Sequence, residues 1–195
     1  MPRKKNFTLV RVIERALPDR LVSKARRAIA RLGNERMRES YFTTFWLDED
    51  ARPENVIEEV VLALWKKHAR VPNCAGMEWW IGRAYADRLP IEFHFDHDIK
   101  GRARRHPVLS SVFFFNSVSG GQLAVTDQTP GVVEAERLEA VKPRRNRYAI
   151  FAGNLFHGVL GGAKGRLRVT LVVNYWDRRP TGVPTWRESG AYRAL

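Results

Sequence analysis

The sequence predicts a mainly β domain, a sandwich or barrel, preceded by two helices. Three observations carry that expectation. From about residue 76 onward, short runs rich in β-branched and aromatic residues follow one another closely, separated by Gly, Pro, Asn and Asp. Helical periodicity is confined to the residues before that point. The length of 195 residues, with 44% hydrophobic and 28% charged residues, suits one folded unit and argues against a disordered, collagen-like or disulfide-stapled chain. We expect a single domain over 1–195, with a helical support region over 1–75, a β-core over 76–177 and a polar C-terminal tail over 178–195.

Residues 6–16 read as a first strand or an extended lead-in. From Pro18 an apolar stripe of Leu21, Val22, Ala25, Ile29 and Leu32 marks a helix, with Gly33-Asn34 as its stop. Its other face carries Arg20, Lys24, Arg27 and Arg31, a solvated basic face or a site for an acidic partner. Residues 41–47 are β-branched and aromatic and read as a strand. Asp48, Asp50 and Pro53 resemble a helix start, and Val56, Ile57, Val60, Val61 and Leu64 supply the buried stripe of a second helix ending near His68. Strands are then expected over 77–86, 91–97, 108–116, 121–126, 132–141, 147–151, 155–160 and 166–176. Gly120-Gly121 reads as a hairpin turn that needs positive φ.

Lys plus Arg number 34 and Asp plus Glu 21, a formal net charge of +13 that attracts anionic partners without choosing among nucleic acid, anionic membrane and acidic substrate. The single cysteine, Cys74, excludes an internal disulfide, a Cys-rich zinc site and an iron–sulfur cluster, and points to a reducing compartment. The basic start, Met1 to Lys5, is followed by an apolar stretch broken by Arg11, Glu14 and Arg15, and no run is long enough to span a bilayer. A soluble, cytoplasmic protein is expected.

Candidate chemistry lies in Glu92-Phe93-His94-Phe95-Asp96. Residues i and i+2 of a strand share a face, so His94 and Asp96 present an imidazole and a carboxylate side by side. A third ligand from a distant strand would complete a two-His, one-carboxylate face on a metal, the arrangement of non-haem Fe(II) oxygenases. His157 lies 61 residues beyond Asp96, behind an apolar strand ending at Phe151, and Arg168 follows 11 residues later. Asp98 shares the parity of His94 and Asp96 and reads as a neighbour of the ligands or a substrate contact, while His97 faces away. His68 and His106, in basic surroundings, read as surface residues, and Phe113 to Phe115, Trp79, Trp80 and Trp176 as core.

Taken together, residues from about Tyr85 to Trp176 resemble the catalytic core of the Fe(II)- and 2-oxoglutarate-dependent dioxygenases, nearest to the prolyl-4-hydroxylase-like branch. The resemblance rests on Tyr85, His94-Phe95-Asp96, Val112 to Asn116, Gly120-Gly121-Gln122-Leu123, Tyr148 to Phe151, His157-Gly158-Val159 and Arg168-Val169-Thr170-Leu171, in that order. It implies a double-stranded β-helix of jelly-roll or cupin-like form. It also implies Fe(II) held by His94, Asp96 and His157, 2-oxoglutarate as co-substrate and O2 as oxidant. Arg168 then pairs with the distal carboxylate of 2-oxoglutarate, for which a planar guanidinium fork is well suited. Thr170 and Tyr85 add hydroxyls there. Arg166 shares the parity of Arg168 and is the rival anchor.

The implied reaction is hydroxylation of an unactivated C–H bond of a peptide residue or an amino-acid-like small molecule, with succinate and CO2 as co-products. The substrate is acidic if the charge serves it. Asp96 favours hydroxylation, since related halogenases carry a small residue there. A nucleic-acid demethylase of the same chemistry is disfavoured, because such enzymes carry a second Arg six residues after the anchor, where this chain has Asn174. Two further readings are a non-catalytic basic β-barrel that binds nucleic acid or an acidic protein, and a cupin-like metalloenzyme with no need of Arg168.

Overall fold

The structure, a computed structural model, describes residues 8–33, 43–84, 92–101, 103–161 and 167–195. Among these residues two antiparallel sheets form. The larger is built from β1 (Arg11–Ile13), β2 (Phe45–Asp48), β3 (Gly76–Ala84), β4 (Leu109–Phe114), β7 (Arg147–Ala152) and β9 (Arg168–Trp176), in the order β1-β7-β4-β9-β3-β2. The smaller is β5 (Gln122–Thr126) between β6 (Leu138–Val141) and β8 (His157–Leu160). This two-sheet arrangement is that of a jelly-roll double-stranded β-helix.

Two helices cover the outer face of the larger sheet. In α1 (Asp19–Arg31), Val22, Ala25, Ala28 and Ile29 are buried. Its ends complement the helix dipole, with Asp19 in the first turn and Arg31 in the last. It stops where Gly33 turns to φ +55°, as expected. The basic face stays in solvent, and Lys24 bonds Glu59 of α2 at 2.8 Å. The second helix, α2 (Val56–Leu64), begins later than the Asp48–Pro53 signal suggests. Asn55 is its cap, accepting from the backbone N–H groups of Ile57 and Glu58 at 2.9 and 3.0 Å. It widens into one π-helical turn at Trp65–Ala69, which lets the Trp65 ring stack 5.6 Å from that of Tyr175.

Strand alternation sends successive side chains of the larger sheet to opposite sides. Met77, Trp79, Ile81, Phe113, Tyr148, Ile150, Leu171, Val173 and Tyr175 pack under the helices. Val112, Phe114, Ala149, Phe151 and Val172 face the smaller sheet, where they meet Leu123, Val125 and Val141. The same parity turns Glu78, Trp80, Gly82, Ser110, Arg168, Thr170 and Asn174 into the space between the sheets.

Several expected strands differ in the structure. The segment 92–97 is extended and, among the described residues, bridges once, His94 with His157, closed by His94 N–H to His157 O at 2.8 Å and the reverse bond at 3.0 Å. Beyond it the chain turns, with Asp98 N–H bonding Arg105 O at 2.9 Å. Residues 132–137 are an irregular segment after a turn at 130–131 instead of a strand, and the Asp127 carboxylate accepts from the backbone of Glu136 and Arg137. Gly120 and Gly121 take φ of +76° and +64°, as the hairpin requires.

Segment 178–195 does not trail as a tail. Trp46 N–H bonds Pro184 O at 2.7 Å, and Thr185 caps the short helix α3 (Trp186–Ser189) in a box with Glu188. Fully buried Tyr192 sits 5.7 Å from Phe45, ring centre to ring centre. Polar neighbours hide two aromatic anchors in this stretch, which is why average polarity misreads it.

Candidate metal centre

His94, Asp96 and His157 converge between the sheets, each offering one ligand atom, and these atoms all lie within 4.8 Å of one another. His94 Nε2 lies 3.5 Å from Asp96 Oδ1, and His157 Nε2 lies 3.5 Å from Asp96 Oδ2. The sequence spacing alone would need a regular strand to bring His94 and Asp96 together. Here the single bridge to His157 does that work and sets the third group at the same time.

The arrangement around the ligand atoms fixes their chemistry. His94 Nδ1 donates to Glu92 O at 2.8 Å, and His157 Nδ1 donates to Leu155 O at 2.9 Å. Both Nε2 lone pairs are therefore left toward the shared point, the tautomer a metal needs. Ser110 Oγ donates to Asp96 Oδ2 at 2.7 Å, and His106 Nδ1 donates to Asp96 O at 2.6 Å. The Phe151 ring meets His157 edge-on at 4.8 Å. Gly158 leaves space for Phe93: a Cβ there would come within 2.7 Å of its ring.

Burial works against charge on Asp96, but nearby His157 and the bonds from His94 and Ser110 outweigh it and hold its carboxyl down at about 2. The hydrogen bond to Asp96 raises His94, whereas burial lowers His157. A metal binds neutral imidazole, so proton and metal compete at His94. Affinity for a divalent ion should then fall as pH drops through the acidic range, about tenfold per pH unit once His94 is mainly protonated. Calorimetric titration with Co(II) at a series of pH values checks this, and a pH-independent affinity would contradict it. Replacing Ser110 with Ala removes one partner of Asp96 and should weaken metal binding about 10- to 100-fold without unfolding the protein, read by the same titration with thermal melting as control.

At the far end of β9, Arg168 and Thr170 turn inward on one face, as their parity predicts. Arg168 is buried, with its guanidinium carbon 5.4 Å from the centre of the Phe114 ring. Thr170 Oγ1 lies 3.4 Å from Gly82 O across the β3–β9 pair. A Cβ on Gly82 would come within 2.5 Å of that hydroxyl, so glycine keeps the space beside it open. Tyr85 and Arg166 lie outside the described residues.

Other expectations resolve differently. Asp98 is buried and is not one of the three converging groups; it accepts from the backbone N–H of Thr181 at 3.1 Å and from its hydroxyl at 2.9 Å, holding the 178–195 segment to the 98–105 turn, and its charge acts on Glu78. His97 is exposed as expected. His68 and His106 are half-buried instead of surface residues: His68 Nε2 donates to Ala16 O at 2.8 Å, and His106 steadies the Asp96 backbone. Sequence reasoning missed Ser110 and His106. For Ser110 the signal was available: it shares the parity of Val112 and Phe114, which are inward residues of the same strand.

A further carboxylate faces this space. Glu78, on β3, accepts from Trp176 Nε1 at 3.1 Å and from the Thr44 hydroxyl. Burial first, and the negative charge of Asp96 next, push it up to about 7.

No helix among the described residues is long and apolar enough to cross a membrane. Neither a protein-family model nor any curated protein matches the sequence. Solved structures do match in fold. A prolyl-4-hydroxylase from Pseudomonas putida aligns with a TM-score of 0.59 at 18% identity, over 88% of this chain and 89% of that one. A prolyl hydroxylase from Trichoplax adhaerens, solved with a peptide fragment of the hypoxia inducible factor oxygen degradation domain, aligns with a TM-score of 0.60 at 14% identity, over 88% and 85%. HygX from Streptomyces hygroscopicus, solved with nickel and 2-oxoglutarate bound, aligns with a TM-score of 0.59 at 16% identity, over 92% and 85%.

Proposed function

We propose that this chain is an Fe(II)- and 2-oxoglutarate-dependent oxygenase that hydroxylates an unactivated C–H bond of a peptide residue or an amino-acid-like small molecule. The observation that carries the reading is the meeting of His94, Asp96 and His157 at one point, with both Nε2 atoms freed by backbone bonds at Nδ1. Two neutral imidazoles and one carboxylate suit a ferrous ion, and a set of three protein ligands would leave positions for a chelating co-substrate and O2. Solved proteins of the same fold bind nickel or iron and 2-oxoglutarate, which supports the same occupants here.

When bound, the metal and 2-oxoglutarate supply oxygen activation and oxidative decarboxylation, with succinate and CO2 as co-products. The chain positions them. His94, Asp96 and His157 hold the metal, and the Ser110 hydroxyl and His106 ring keep the Asp96 carboxylate and backbone in place. Arg168, buried beside the Phe114 ring, would pair with the distal carboxylate of 2-oxoglutarate, a task its planar guanidinium suits. Thr170 offers that carboxylate its hydroxyl, and Tyr85 is the third candidate on sequence grounds. Buried, free Cys74 suits the reducing cytoplasm in which ferrous iron persists.

The test is oxygen-dependent conversion of 2-oxoglutarate to succinate by the iron-loaded protein. The reading expects slow turnover without substrate and none in His157→Ala. Folded, iron-loaded wild type that leaves 2-oxoglutarate untouched, with and without peptide and amino-acid panels, would overturn it.

A further inference from the structure

The inward row of the larger sheet nearest Asp96 runs across four strands. Register pairs Trp46 with Glu78, Glu78 with Asn174, and Asn174 with Ser110, whose hydroxyl bonds Asp96. Strands lie about 4.8 Å apart, so Asn174 stands about 5 Å and Glu78 about 10 Å from Ser110 along this row. Asn174 is 2% exposed, and its Oδ1 has no hydrogen-bond partner among the described residues. A buried amide oxygen without a donor is costly, and here it faces the same space as a carboxylate. Ser110 spends its proton on Asp96 and keeps lone pairs to offer. One inward position along β3 from Glu78 stands the half-buried Trp80. The row therefore presents oxygen acceptors and an indole, and its members Trp46, Glu78, Asn174 and Ser110 include no cation.

Along β9 the two ends of the space have opposite chemistry. Arg168 stands at one end, where a dicarboxylate is expected, and Asn174 stands six residues away at the metal end. We propose that Glu78, Asn174 and Trp80 bind a protonated amine of the substrate beside the metal centre. This rests on the oxygenase reading, and it narrows the substrate to one carrying an ammonium group within about 10 Å of the bond that is attacked. Glu78 supplies the counter-charge, Asn174 Oδ1 accepts one N–H, and the Trp80 face receives the cation. The net charge of +13 leads to the opposite expectation, an acidic substrate, so the inward row and the overall charge make different predictions.

Calorimetry with cadaverine and L-lysine, against glutarate and 1,5-pentanediol, separates them. It is run on the Co(II)-loaded protein with 2-oxoglutarate present, so that glutarate does not report the Arg168 end, and repeated with the amines alone. We expect both amines to bind and the acid and the diol to bind at least tenfold more weakly. Glu78→Gln should weaken the amines at least tenfold, and Glu78→Asp should restore part of the loss; melting curves establish that each variant is folded. Should Glu78→Gln fail to fold, Asn174→Leu takes its place with the same expected loss. Amines that bind no better than glutarate or 1,5-pentanediol in the presence of 2-oxoglutarate, or equally well to wild type and Glu78→Gln, overturn the proposal. Amine binding in a protein that takes up no 2-oxoglutarate would uphold the amine site while removing the oxygenase reading.

Discussion

Asp96→Ala is expected to abolish binding of a divalent metal at micromolar concentration and with it all turnover of 2-oxoglutarate. Asp96 is the one anionic ligand of the three, and it stands between the two imidazoles, 3.5 Å from each Nε2. Removing it takes away a ligand and the charge that balances the ion. It also leaves the Ser110 hydroxyl facing a small cavity. At least a thousandfold loss, about 4 kcal/mol, is the expected scale, since conversion at 1.4 kcal/mol per factor of ten applies. Fold should survive, because the carboxylate is a costly group to bury and the apolar cluster between the sheets does not include Asp96. Titration with Co(II), alongside melting temperature, measures both. Micromolar binding retained in Asp96→Ala would place the metal elsewhere.

Arg168→Ala has the second large effect, and it falls on the co-substrate. A guanidinium that pairs with a carboxylate in a dry setting contributes through charge and through two aligned bonds. Truncation leaves the ligand carboxylate without a partner, which costs about 2–5 kcal/mol. Affinity for 2-oxoglutarate should drop at least thirtyfold while Co(II) affinity stays within a few-fold of wild type, because Arg168 is remote from the three ligand atoms. The split between metal and co-substrate is the informative readout. Equal loss of both would mark Arg168 as a support of the fold. No loss of 2-oxoglutarate affinity would favour Arg166, its parity-mate, as the anchor, and Arg166→Ala then carries the same expectation.

Much of this was legible before any coordinates. The apolar stripes located α1 and α2 because their buried faces repeat at helical spacing. Parity correctly put Arg168 and Thr170 on one face, because β9 is a long regular strand with Leu171, Val173 and Tyr175 on its other side. Parity was less secure at His94 and Asp96, where the chain is extended but pairs only once. Their meeting with His157 depends on that cross-strand bridge, a long-range contact that local pattern does not encode. Glu78 is hidden for a related reason, since its partner Trp176 is 98 residues away. Ser110 and His106 lie 14 and 10 residues from Asp96, and parity marks Ser110 as inward, but their bonds to Asp96 depend on the turn that brings the chain back after it. The buried Tyr192 shows the limit of composition, since it and Trp186 are enough to dock a polar stretch against the core around Phe45.

A site that holds a ferrous ion and 2-oxoglutarate together has a spectroscopic signature, since chelation of the ion by the keto acid gives a visible metal-to-ligand charge-transfer band. Anaerobic titration of the metal-free protein with Fe(II), then with 2-oxoglutarate, should give a saturable band that is absent in Asp96→Ala and needs much more 2-oxoglutarate in Arg168→Ala. A folded wild-type protein that develops no band at saturating iron and 2-oxoglutarate would contradict the oxygenase reading.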